Sequence, residues 1–428
     1  MNALLEKVKN ISIRDYTYDL PDERIARYPV EPRDHSKLLL YRDGTVSESR
    51  FYQLADFLQP GSLLVCNNTK VIHARLFFRK ETGAQIEIFC LEPLTPADYA
   101  QNFQAVGATE WLCLVGNLKK WKEGPLQRRL SVGDRSFTLS AVQAGVRDHC
   151  RAIRFEWAAD DGGENIPFAD LLEAAGTIPI PPYLNRESEA CDEHTYQTVY
   201  SKIEGSVAAP TAGLHFTPKV LDSVALHGIR QAEVTLHVSA STFQPVKSEH
   251  IEGHPMHIEF ISVKRELLET LLRYEGRITA VGTTSVRTLE SLYWFGVHFL
   301  EAAEGGADAA SGETDVFGHW VLDQWYPYQP HRDISLEEAL KAILAHLDET
   351  GEDAFNASTR LLIAPGYTFH VVCDMLTNFH QPQSTLLLLV SAFVGDDWRR
   401  IYDYALGNGF RFLSYGDSSL LHRKRGAV

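Results

Sequence analysis

The segment LLVCNNTKVIHARLFFRK (residues 63–80) decides the fold, because the residue pattern changes inside it. Leu63–Cys66 is a short apolar run typical of a buried strand, and polar residues follow at positions 67–69. From there to Trp157 the chain consists of short alternating or β-branched and aromatic runs with turn signals between them. These runs are Val71–Lys80, Gln85–Leu91, Trp111–Gly116, Phe137–Val142 and Ala152–Trp157. Several short strands separated by turns predict a small antiparallel sandwich or barrel over residues 67–157.

The rest of the chain, residues 1–66 and 158–428, mixes strand and helix patterns. Helices are predicted at Phe168–Ala175, Pro218–His227, Val263–Tyr274 and Val286–Phe295, and a strand at Arg277–Val281. This mixture predicts a large α+β or α/β domain. No G-x-G-x-x-G follows a predicted strand, so the chain lacks the Rossmann dinucleotide fingerprint.

The composition is that of a globular protein with room for two cores, at 428 residues, 44% hydrophobic and 23% charged. The longest apolar run is far shorter than a bilayer requires, and the start, MNALLEKVKN, lacks the apolar stretch of a signal peptide. Six scattered cysteines, none in a C-x-x-C pair, indicate reduced thiols. We therefore expect a cytoplasmic protein without membrane association, and nothing indicates an obligate protein partner.

The formal net charge of −15 is unusual for a protein that binds RNA through its phosphates. Basic clusters do occur, at residues 70–80, 119–122, 128–129 and 422–425, although solvated surface charge is an adequate explanation for each. Part of the acidic excess lies in EAAEGGADAASGET (Glu301–Thr314), whose low complexity predicts a flexible loop.

A second informative stretch, Val207–His257, is rich in histidines, hydroxyl residues and prolines that core packing does not require. The Leu-His-Val pattern around His237 alternates like a strand, and the Ser/Thr run after it is typical of a strand end that opens into a loop. Polar side chains at strand ends and in loops often form sites on rigid scaffolds. We therefore expect a functional site here.

Several further blocks, in a fixed order, carry a family resemblance. They are DYTYDLPDERIARYPVEPRDHSKLL (Asp15–Leu39), LLVCNNTKVIHARL (Leu63–Leu76), PIPPYLNR (Pro179–Arg186), YQTVYS (Tyr196–Ser201), AVGTTSVRTLES (Ala280–Ser291), APGY (Ala364–Tyr367), TNFH (Thr377–His380), STLLLLVSAF (Ser384–Phe393) and FLSYGD (Phe412–Asp417). With these blocks the chain resembles the S-adenosylmethionine:tRNA ribosyltransferase-isomerases of queuosine biosynthesis.

The resemblance implies an enzyme that transfers and isomerises the ribosyl unit of S-adenosylmethionine onto 7-aminomethyl-7-deazaguanine in tRNA. Epoxyqueuosine forms, and adenine and methionine are released. S-adenosylmethionine is then a co-substrate, tRNA is the partner and no metal is required. The resemblance further implies that residues 67–157 are a β-barrel domain inserted in the large domain. It also makes residues 301–360, which include a helix predicted at Ser335–Asp348, an atypical insertion: a lid, a partner surface or a decoration.

The implied reaction needs a base that removes a proton beside the sulfonium and an acid that protonates the leaving adenine. Histidine titrates near neutral pH, so His215 and His237 are the leading pair, with the two roles open between them. Asp417 is the third catalytic candidate, because it could orient a histidine or bind ribose hydroxyls. For each of the three, a purely structural hydrogen bond is the alternative interpretation.

The residues expected to bind S-adenosylmethionine are Thr242, Gln244, Thr283, Thr284, Ser285, Arg287, Asn378 and His380. A helix start with Arg287 beside it suits a carboxylate or a phosphate, although a plain helix N-cap explains the hydroxyls equally well. The residues expected to contact tRNA or the deazaguanine are Asn67, Asn68, Lys70, Arg75, His254 and His257. The last two are a weak metal-ligand pair, so no metal site is expected.

Three features depart from the family pattern. Ser239 and Ser241 stand where glycines are usual, Gln381 stands where a leucine is more usual, and Thr195 stands where an arginine is common. These departures keep open a paralogous enzyme that uses the same donor with a different acceptor. A non-catalytic RNA-binding protein is a further alternative, which the retained polar candidates disfavour.

Overall fold

The structure, a computed structural model, describes residues 3–147, 149–238, 246, 248–305, 314–315 and 318–423. Its α-helices are α1 (Ala3–Lys9), α2 (Leu54–Phe57), α3 (Tyr99–Gln104), α4 (Phe168–Ala175), α5 (Asp192–Thr195), α6 (Pro218–Leu226), α7 (Arg265–Leu271), α8 (Gly282–Gly305), α9 (Leu336–Thr350), α10 (Thr385–Val394) and α11 (Asp397–Gly407). Its strands are β1 (Lys37–Arg42), β2 (Thr45–Arg50), β3 (Leu63–Asn67), β4 (Thr69–Val71), β5 (Arg75–Arg79), β6 (Gln85–Thr95), β7 (Ala108–Gly116), β8 (Leu126–Val132), β9 (Arg135–Arg147), β10 (Cys150–Ala159), β11 (Gly176–Thr177), β12 (Ile203–Ser206), β13 (Arg230–Leu236), β14 (Glu259–Lys264), β15 (Ile278–Val281), β16 (Trp320–Leu322), β17 (Ala354–Thr359), β18 (Asp374–Asn378) and β19 (Ser418–His422). The fold is mixed α/β, as predicted.

The larger sheet has ten strands in the described part of the chain, in the order β16-β17-β14-β13-β3-β15-β18-β19-β1-β2. Its four central strands, β13, β3, β15 and β18, are mutually parallel. The strands next to this group, β14 and β19, are antiparallel to it. Because parallel neighbours point the same way, the carboxyl ends of the four central strands meet at one edge of the sheet.

Strand β3 shows why this sheet lies in the middle of the molecule, since all of its residues are buried. Leu63 and Val65 belong to the core that also contains the apolar residues of α8. Leu64 and Cys66 point the other way, into a core shared with α2 and α6. A parallel strand covered on both faces reads as a continuous apolar run, as LLVC does. Burial of one Leu or Val contributes about 1.5–3 kcal/mol, so both layers hold the strand.

The smaller sheet is antiparallel and has seven described strands, in the order β11-β5-β6-β7-β10-β9-β8. Its own core contains Trp111, Phe137 and Phe168. The sheet curls so far that the Arg128 guanidinium on β8 donates to the carbonyl oxygen of Phe77 on β5 at 3.3 Å. Among the described residues no backbone ladder joins β8 to β5 or β11. Most of the unit predicted over residues 67–157 is thus a curled antiparallel sheet, which begins at β5, continues through Ala159 and includes β11. At its predicted start, Asn67 ends β3 of the larger sheet and β4 pairs with β12 in a separate two-stranded sheet.

Several predicted elements are confirmed, and several strands were missed, among them β1, β8, β14 and β18. The helix predicted at Val263–Tyr274 is shorter, since Val263 and Lys264 belong to β14 and α7 spans Arg265–Leu271. Helix α4 has the predicted bounds, and α9 begins after Ser335, whose side chain forms a capping box with Glu338. Helix α8 starts at Gly282, four residues before the predicted start. Strand β8 was not predicted because Arg128 occupies an inward-facing position, which breaks the apolar alternation.

The segment expected to be an insertion, residues 301–360, contributes to the main body of the fold. Strand β17 pairs with β14 in the larger sheet. Leu340 and Ile343 of α9 lie in the same core as the apolar residues of α8. This part of the segment is therefore structural, whereas most of the acidic stretch Glu301–Thr314 lies outside the described residues.

Candidate active site

Predicted site residues meet at the carboxyl edge of the four central strands. Asn67 ends β3, His237 directly follows β13, Thr283 lies in the first turn of α8 after β15, and Asn378 ends β18. Open α/β sheets bind ligands at this edge because the connections diverge there and helix starts present free N–H groups. A small space at this edge is called here the cavity. A wide one, called the cleft, runs along β13 from Arg230 to His237 and reaches the edge at His237.

The cavity lies between the start of α8 and the end of β18. Four residues predicted to bind S-adenosylmethionine line it together: Thr283, Thr284, Asn378 and His380. Its wall also includes Tyr183, Thr211, Val238, Phe379, Leu386 and Ser414. This mixture of hydroxyl, amide and apolar groups suits a small ligand that carries both hydrogen-bonding and apolar surface.

His215 lies behind the cavity wall and contacts Asn378. Its Nε2 is 3.1 Å from Asn378 Nδ2, and its Nδ1 is 2.8 Å from Ser36 Oγ. Because an amide nitrogen can only donate, Nε2 is the acceptor and the ring proton is on Nδ1. Burial, assisted by the charges of Arg411 and Arg33, lowers the pKa of His215 to about 3. The imidazole is therefore neutral at physiological pH.

The Asn378 carboxamide connects His215 to the cavity. Its Nδ2 also donates to the Asp417 carbonyl oxygen at 3.5 Å, which accounts for its second N–H. Its Oδ1 is buried and has no hydrogen-bond partner within the described residues. Thr284 Oγ1 is also buried, and it too has no partner among the described residues. Such atoms are uncommon in folded proteins, so the cavity presents two unused hydrogen-bonding groups.

Asp417 is buried and holds two backbone segments together. One carboxylate oxygen accepts from the Lys37 N–H and the other from the Arg411 N–H, each at 2.8 Å. Burial raises the pKa of Asp417, and the hydrogen bond and charge of Arg411 oppose this rise. The two carboxylate oxygens have the contacts expected of the structural alternative, and a catalytic role for Asp417 stays a prediction.

His380 forms part of the cavity wall and is anchored at three points. Its Nε2 lies 2.9 Å from Thr377 Oγ1, and its backbone N–H donates to the Tyr402 hydroxyl at 3.0 Å. The Tyr18 hydroxyl donates to its carbonyl oxygen. Burial lowers the pKa of His380 to about 3, so this ring is also neutral at physiological pH.

The cleft lies on the other side of residues 237 and 238. His237 lines the cleft, whereas the next residue, Val238, lines the cavity. The His237 ring stacks on Tyr99 with centroids 4.1 Å apart and an interplanar angle of 8°. Burial lowers the pKa of His237 to about 4, and the Gly205 backbone opposes this change. The structure thus separates the two leading histidines, with His215 behind the cavity and His237 on the cleft.

Charged side chains from the larger sheet, from the short β4–β12 pair and from neighbouring helices line the cleft. They are Lys70, Asp98, Lys202, Glu204, Arg230, Glu233, Lys264 and Glu266. The Lys202 ammonium lies 2.6 Å from Glu233 and the Lys70 ammonium 3.0 Å from Glu204, all on partly exposed side chains. Exposed pairs contribute about 0–1 kcal/mol, so these groups can exchange partners at little cost.

The residues predicted to contact tRNA differ in accessibility. Asn67 is fully buried, and its side chain bonds to the backbone N–H and carbonyl of Leu236. Asn68 and Lys70 line the cleft. Arg75 lies on the smaller sheet, where it pairs with Glu87 at 2.6 Å. The structure therefore brings Asn68 and Lys70 to the cleft with His237, and it places Asn67 inside the sheet.

Arg287 and His257 line a third, small pocket that shares the side chain of Leu386 with the cavity. The Arg287 guanidinium is buried, pairs with Glu259 and donates to the Leu361 carbonyl oxygen at 3.1 Å. Its Nη2 has no partner among the residues that the structure describes. Burial, followed by the charge of Arg287, lowers the pKa of His257.

The remaining predicted residues divide into three cases. Ser285 uses its hydroxyl within α8, where it donates to the Val281 carbonyl oxygen at 2.7 Å. His254 is half-buried, and burial lowers its pKa. Thr242 and Gln244, like Ser239 and Ser241, lie outside the described residues.

Sequence reasoning missed several residues that shape the two spaces. Ser36 fixes the His215 ring, Tyr183 and Ser414 line the cavity, and Tyr99 stacks on His237. Three of these four occur in the family-like blocks Asp15–Leu39, Pro179–Arg186 and Phe412–Asp417, so block membership was an available signal. Tyr99 lies outside the blocks, and its contact with His237 requires the tertiary structure.

The described residues contain neither an evident metal site nor a membrane-spanning helix. No group of three or more His, Cys, Asp or Glu side chains there is arranged to hold a metal ion. Within the same residues, none of the helices has the length and apolar character needed to cross a membrane.

Comparison with known proteins identifies the family. The model of the family described as queuosine biosynthesis protein matches residues 13–319 and 335–421. The chain belongs to this family. Relatives named S-adenosylmethionine:tRNA ribosyltransferase-isomerase include one from Trichlorobacter lovleyi, 39% identical, with 96% of this chain and 99% of the relative covered. Another, from Azoarcus sp., is 38% identical, with 98% and 99% covered.

One solved structure matches this chain over nearly its full length, at lower sequence identity. The S-adenosylmethionine tRNA ribosyltransferase of Thermotoga maritima is 27% identical, and the match covers 95% of this chain and 99% of that one, with a TM-score of 0.43. The family match ends at residue 319 and resumes at residue 335. Most of the segment 301–360 thus lies within the family's own range.

Proposed function

We propose that this protein transfers and isomerises the ribosyl unit of S-adenosylmethionine onto 7-aminomethyl-7-deazaguanine in tRNA, which gives epoxyqueuosine, adenine and methionine. The observation that carries this proposal is identity of 38–39% along nearly the whole chain with relatives that bear the corresponding name. The aligned stretches span 96% and 98% of this chain. The reaction uses tRNA, so the enzyme works in the cytoplasm.

The cavity is the proposed site of S-adenosylmethionine. Thr283, Thr284, Asn378 and His380 supply hydrogen-bonding groups there, and Phe379 and Leu386 supply apolar surface for the adenine. The neighbouring pocket offers Arg287, whose free Nη2 would hold the methionine carboxylate. A charge-assisted hydrogen bond of this kind is about twice as strong as a neutral one.

The cleft is the proposed site of the tRNA. It is wide, strands of the larger sheet and helix α3 line it, and its lysines and arginine can leave their carboxylate partners for phosphates. Asn68 and the Tyr99–His237 stack lie on its wall and would face the modified base. In this arrangement residues 237 and 238 separate the donor from the acceptor. The small domain, residues 67–157 with a barrel-like curl, would form one side of the tRNA site.

His237 is the proposed base that removes the proton beside the sulfonium. Both leading histidines are neutral at physiological pH, because burial lowers both pKa values. The only lone pair of the His215 ring is already engaged by Asn378. His237 lies on the cleft, next to the residue that lines the cavity, so its ring is the better placed of the two to reach a carbon between the two substrates. No metal takes part in this proposal.

The experiment combines purified protein, S-adenosylmethionine and a tRNA that carries 7-aminomethyl-7-deazaguanine at the wobble position. Adenine release is followed by chromatography and the tRNA nucleoside by mass spectrometry, with guanine-containing tRNA as the control. Adenine release together with the mass of epoxyqueuosine supports the proposal. Adenine release without modified tRNA would point to another acceptor, and absence of both products would refute the proposed activity.

A further inference from the structure

The cavity wall contains a hydrogen-bond acceptor, Asn378 Oδ1, whose direction is fixed by contacts on the side away from the cavity. Asn378 has two N–H hydrogens, and they point to His215 Nε2 and to the Asp417 carbonyl oxygen. A carbonyl oxygen can only accept, so the carboxamide cannot turn over without facing Oδ1 toward it. The side chain is 3% exposed, and Oδ1 has no partner in the described part of the chain. The cavity therefore presents an oriented oxygen that can only accept.

The orientation of Asn378 depends on the tautomer of His215. The ring donates from Nδ1 to Ser36 Oγ, which leaves Nε2 as the acceptor for the amide. If Nε2 carried the proton, it would face the Asn378 N–H, and the amide would lose its anchor. Phe51 lies against the ring with centroids 5.0 Å apart, which restricts its rotation. Ser36, His215 and Asn378 thus form one chain that ends at the cavity.

A second unused group lies in the same cavity. Thr284 Oγ1, in the first turn of α8, is buried without a partner among the described residues. A hydroxyl can donate or accept, whereas Asn378 Oδ1 can only accept. Two such atoms in one cavity favour a ligand with at least one N–H or O–H donor, such as a nucleoside with its exocyclic amine and ribose hydroxyls.

We propose that Asn378 Oδ1 accepts a hydrogen bond from an N–H or O–H donor on the nucleoside part of S-adenosylmethionine, and that His215 is a positioning residue that orients this amide instead of a proton-transfer group. The inference rests on the proposed function. It makes Asn378 the residue that recognises S-adenosylmethionine. It gives His215 a role that its neutral ring can fulfil, with Nε2 as a hydrogen-bond acceptor.

The test measures binding and turnover separately in a set of variants. Binding of S-adenosylhomocysteine, which lacks the sulfonium and does not react, is measured by calorimetry, and adenine release gives kcat and KM. The variants are His215→Gln, His215→Ala and Asn378→Ala. The Gln side chain offers an oxygen to Asn378 Nδ2 but cannot act as an acid or base near neutral pH. Val224→Ala, a buried truncation on α6, controls for loss of packing.

The positioning role predicts a graded result. Asn378→Ala and His215→Ala should each raise the dissociation constant of S-adenosylhomocysteine about tenfold, whereas His215→Gln should stay within about threefold of the wild type. The double variant His215→Ala/Asn378→Ala should bind no more weakly than Asn378→Ala, because both changes remove the same contact. If His215→Gln lowers kcat as much as His215→Ala while binding is retained, His215 takes part in proton transfer and the inference is wrong.

Ligand analogues identify which N–H or O–H group of the nucleoside donates its hydrogen bond to Asn378 Oδ1. The probes are S-adenosylhomocysteine with hypoxanthine in place of adenine, which removes the exocyclic amine, and its 2′-deoxy and 3′-deoxy forms. The analogue that lacks the true donor should bind wild type and Asn378→Ala equally. Equal sensitivity of all analogues to Asn378→Ala overturns the inference. Failure of the wild type to bind S-adenosylhomocysteine or S-adenosylmethionine at all would instead refute the proposed function.

Discussion

The cavity and the cleft adjoin at residues 237 and 238 but hold their polar groups in different ways. In the cavity region, side chains such as Asn378 and Asp417 are buried and fixed by hydrogen bonds to backbone or to other buried groups. In the cleft, Lys70 and Lys202 are partly exposed and make ion pairs at the surface. A buried bond is costly to leave unmade, whereas an exposed pair is readily exchanged.

This difference suits the two unlike substrates proposed for the protein. A small ligand is recognised by a few atoms whose directions are fixed before it arrives, because reorganisation would reduce its affinity. A polynucleotide is held by many charges of small individual effect.

The buried carboxylate of Asp417 gives the largest expected effect. Asp417→Ala leaves the Lys37 and Arg411 N–H groups without an acceptor, so the free energy of unfolding should fall by about 3 kcal/mol in urea denaturation. Asp403→Ala, at an exposed position of α11, should change it by less than about 0.5 kcal/mol. A stable Asp417→Ala protein without adenine release would instead assign Asp417 to the chemistry.

The pH dependence of stability tests the buried state of His215. The folded-state pKa is about 3 and the unfolded value is 6.5, so below pH 6.5 the unfolded chain binds a proton that the folded chain does not. Stability is therefore lost as the pH falls from 6.5 toward 3. His215→Gln should remove about 2 kcal/mol of the loss between pH 6.5 and 5, measured by urea denaturation at both values. An unchanged pH slope would show that the pKa of His215 is not lowered in the folded protein.

The free hydroxyl of Thr284 gives a smaller effect. Thr284→Val keeps the shape but removes the hydrogen-bonding group, so KM for S-adenosylmethionine should rise about fivefold, equivalent to about 1 kcal/mol. Stability should not fall, because the hydroxyl has no partner within the described residues. Thr279→Val is the matched control, since its Oγ1 is also buried without a described partner but does not line the cavity. Equal KM values for the two variants would remove Thr284 from the site.

The exposed lysines of the cleft give the smallest effects. Lys202→Ala and Lys70→Ala should each raise KM for tRNA about two- to fourfold and reduce the salt dependence of tRNA binding by about one ion. Thermal stability should stay unchanged, because exposed pairs contribute little. Lys341→Ala on α9 removes a lysine from a similar exposed pair outside the cleft and serves as the control. If it has the same effect on tRNA binding, the cleft is not the tRNA site.

Much of the fold was readable from local patterns, since strand β3 is a continuous apolar run and α9 has a capping box at its start. The site was readable in part, because Thr283, Thr284, Asn378 and His380 were assigned to one ligand and line one cavity. Their proximity follows from the parallel strands that precede them.

Other site relations depend on contacts that a single sequence does not display. His215 and His237 are close in the chain but far apart in their contacts. His215 contacts Ser36 behind the cavity wall, whereas His237 stacks on Tyr99 in the cleft. Asn67 has the residue type of a ligand contact, but its amide joins two strands inside the sheet. A polar residue type alone therefore does not distinguish a binding group from a buried structural bond.

The alternation of His237 and Val238 after β13 has an evolutionary consequence. Inserting or deleting one residue in β13 would reverse which side chain faces each space, and both substrates would lose their contacts in a single event. Length changes of two residues keep the facing pattern. A shift of one residue would thus move the proposed base His237 off the cleft and Val238 off the cavity together, which couples the two spaces through the register of a single strand.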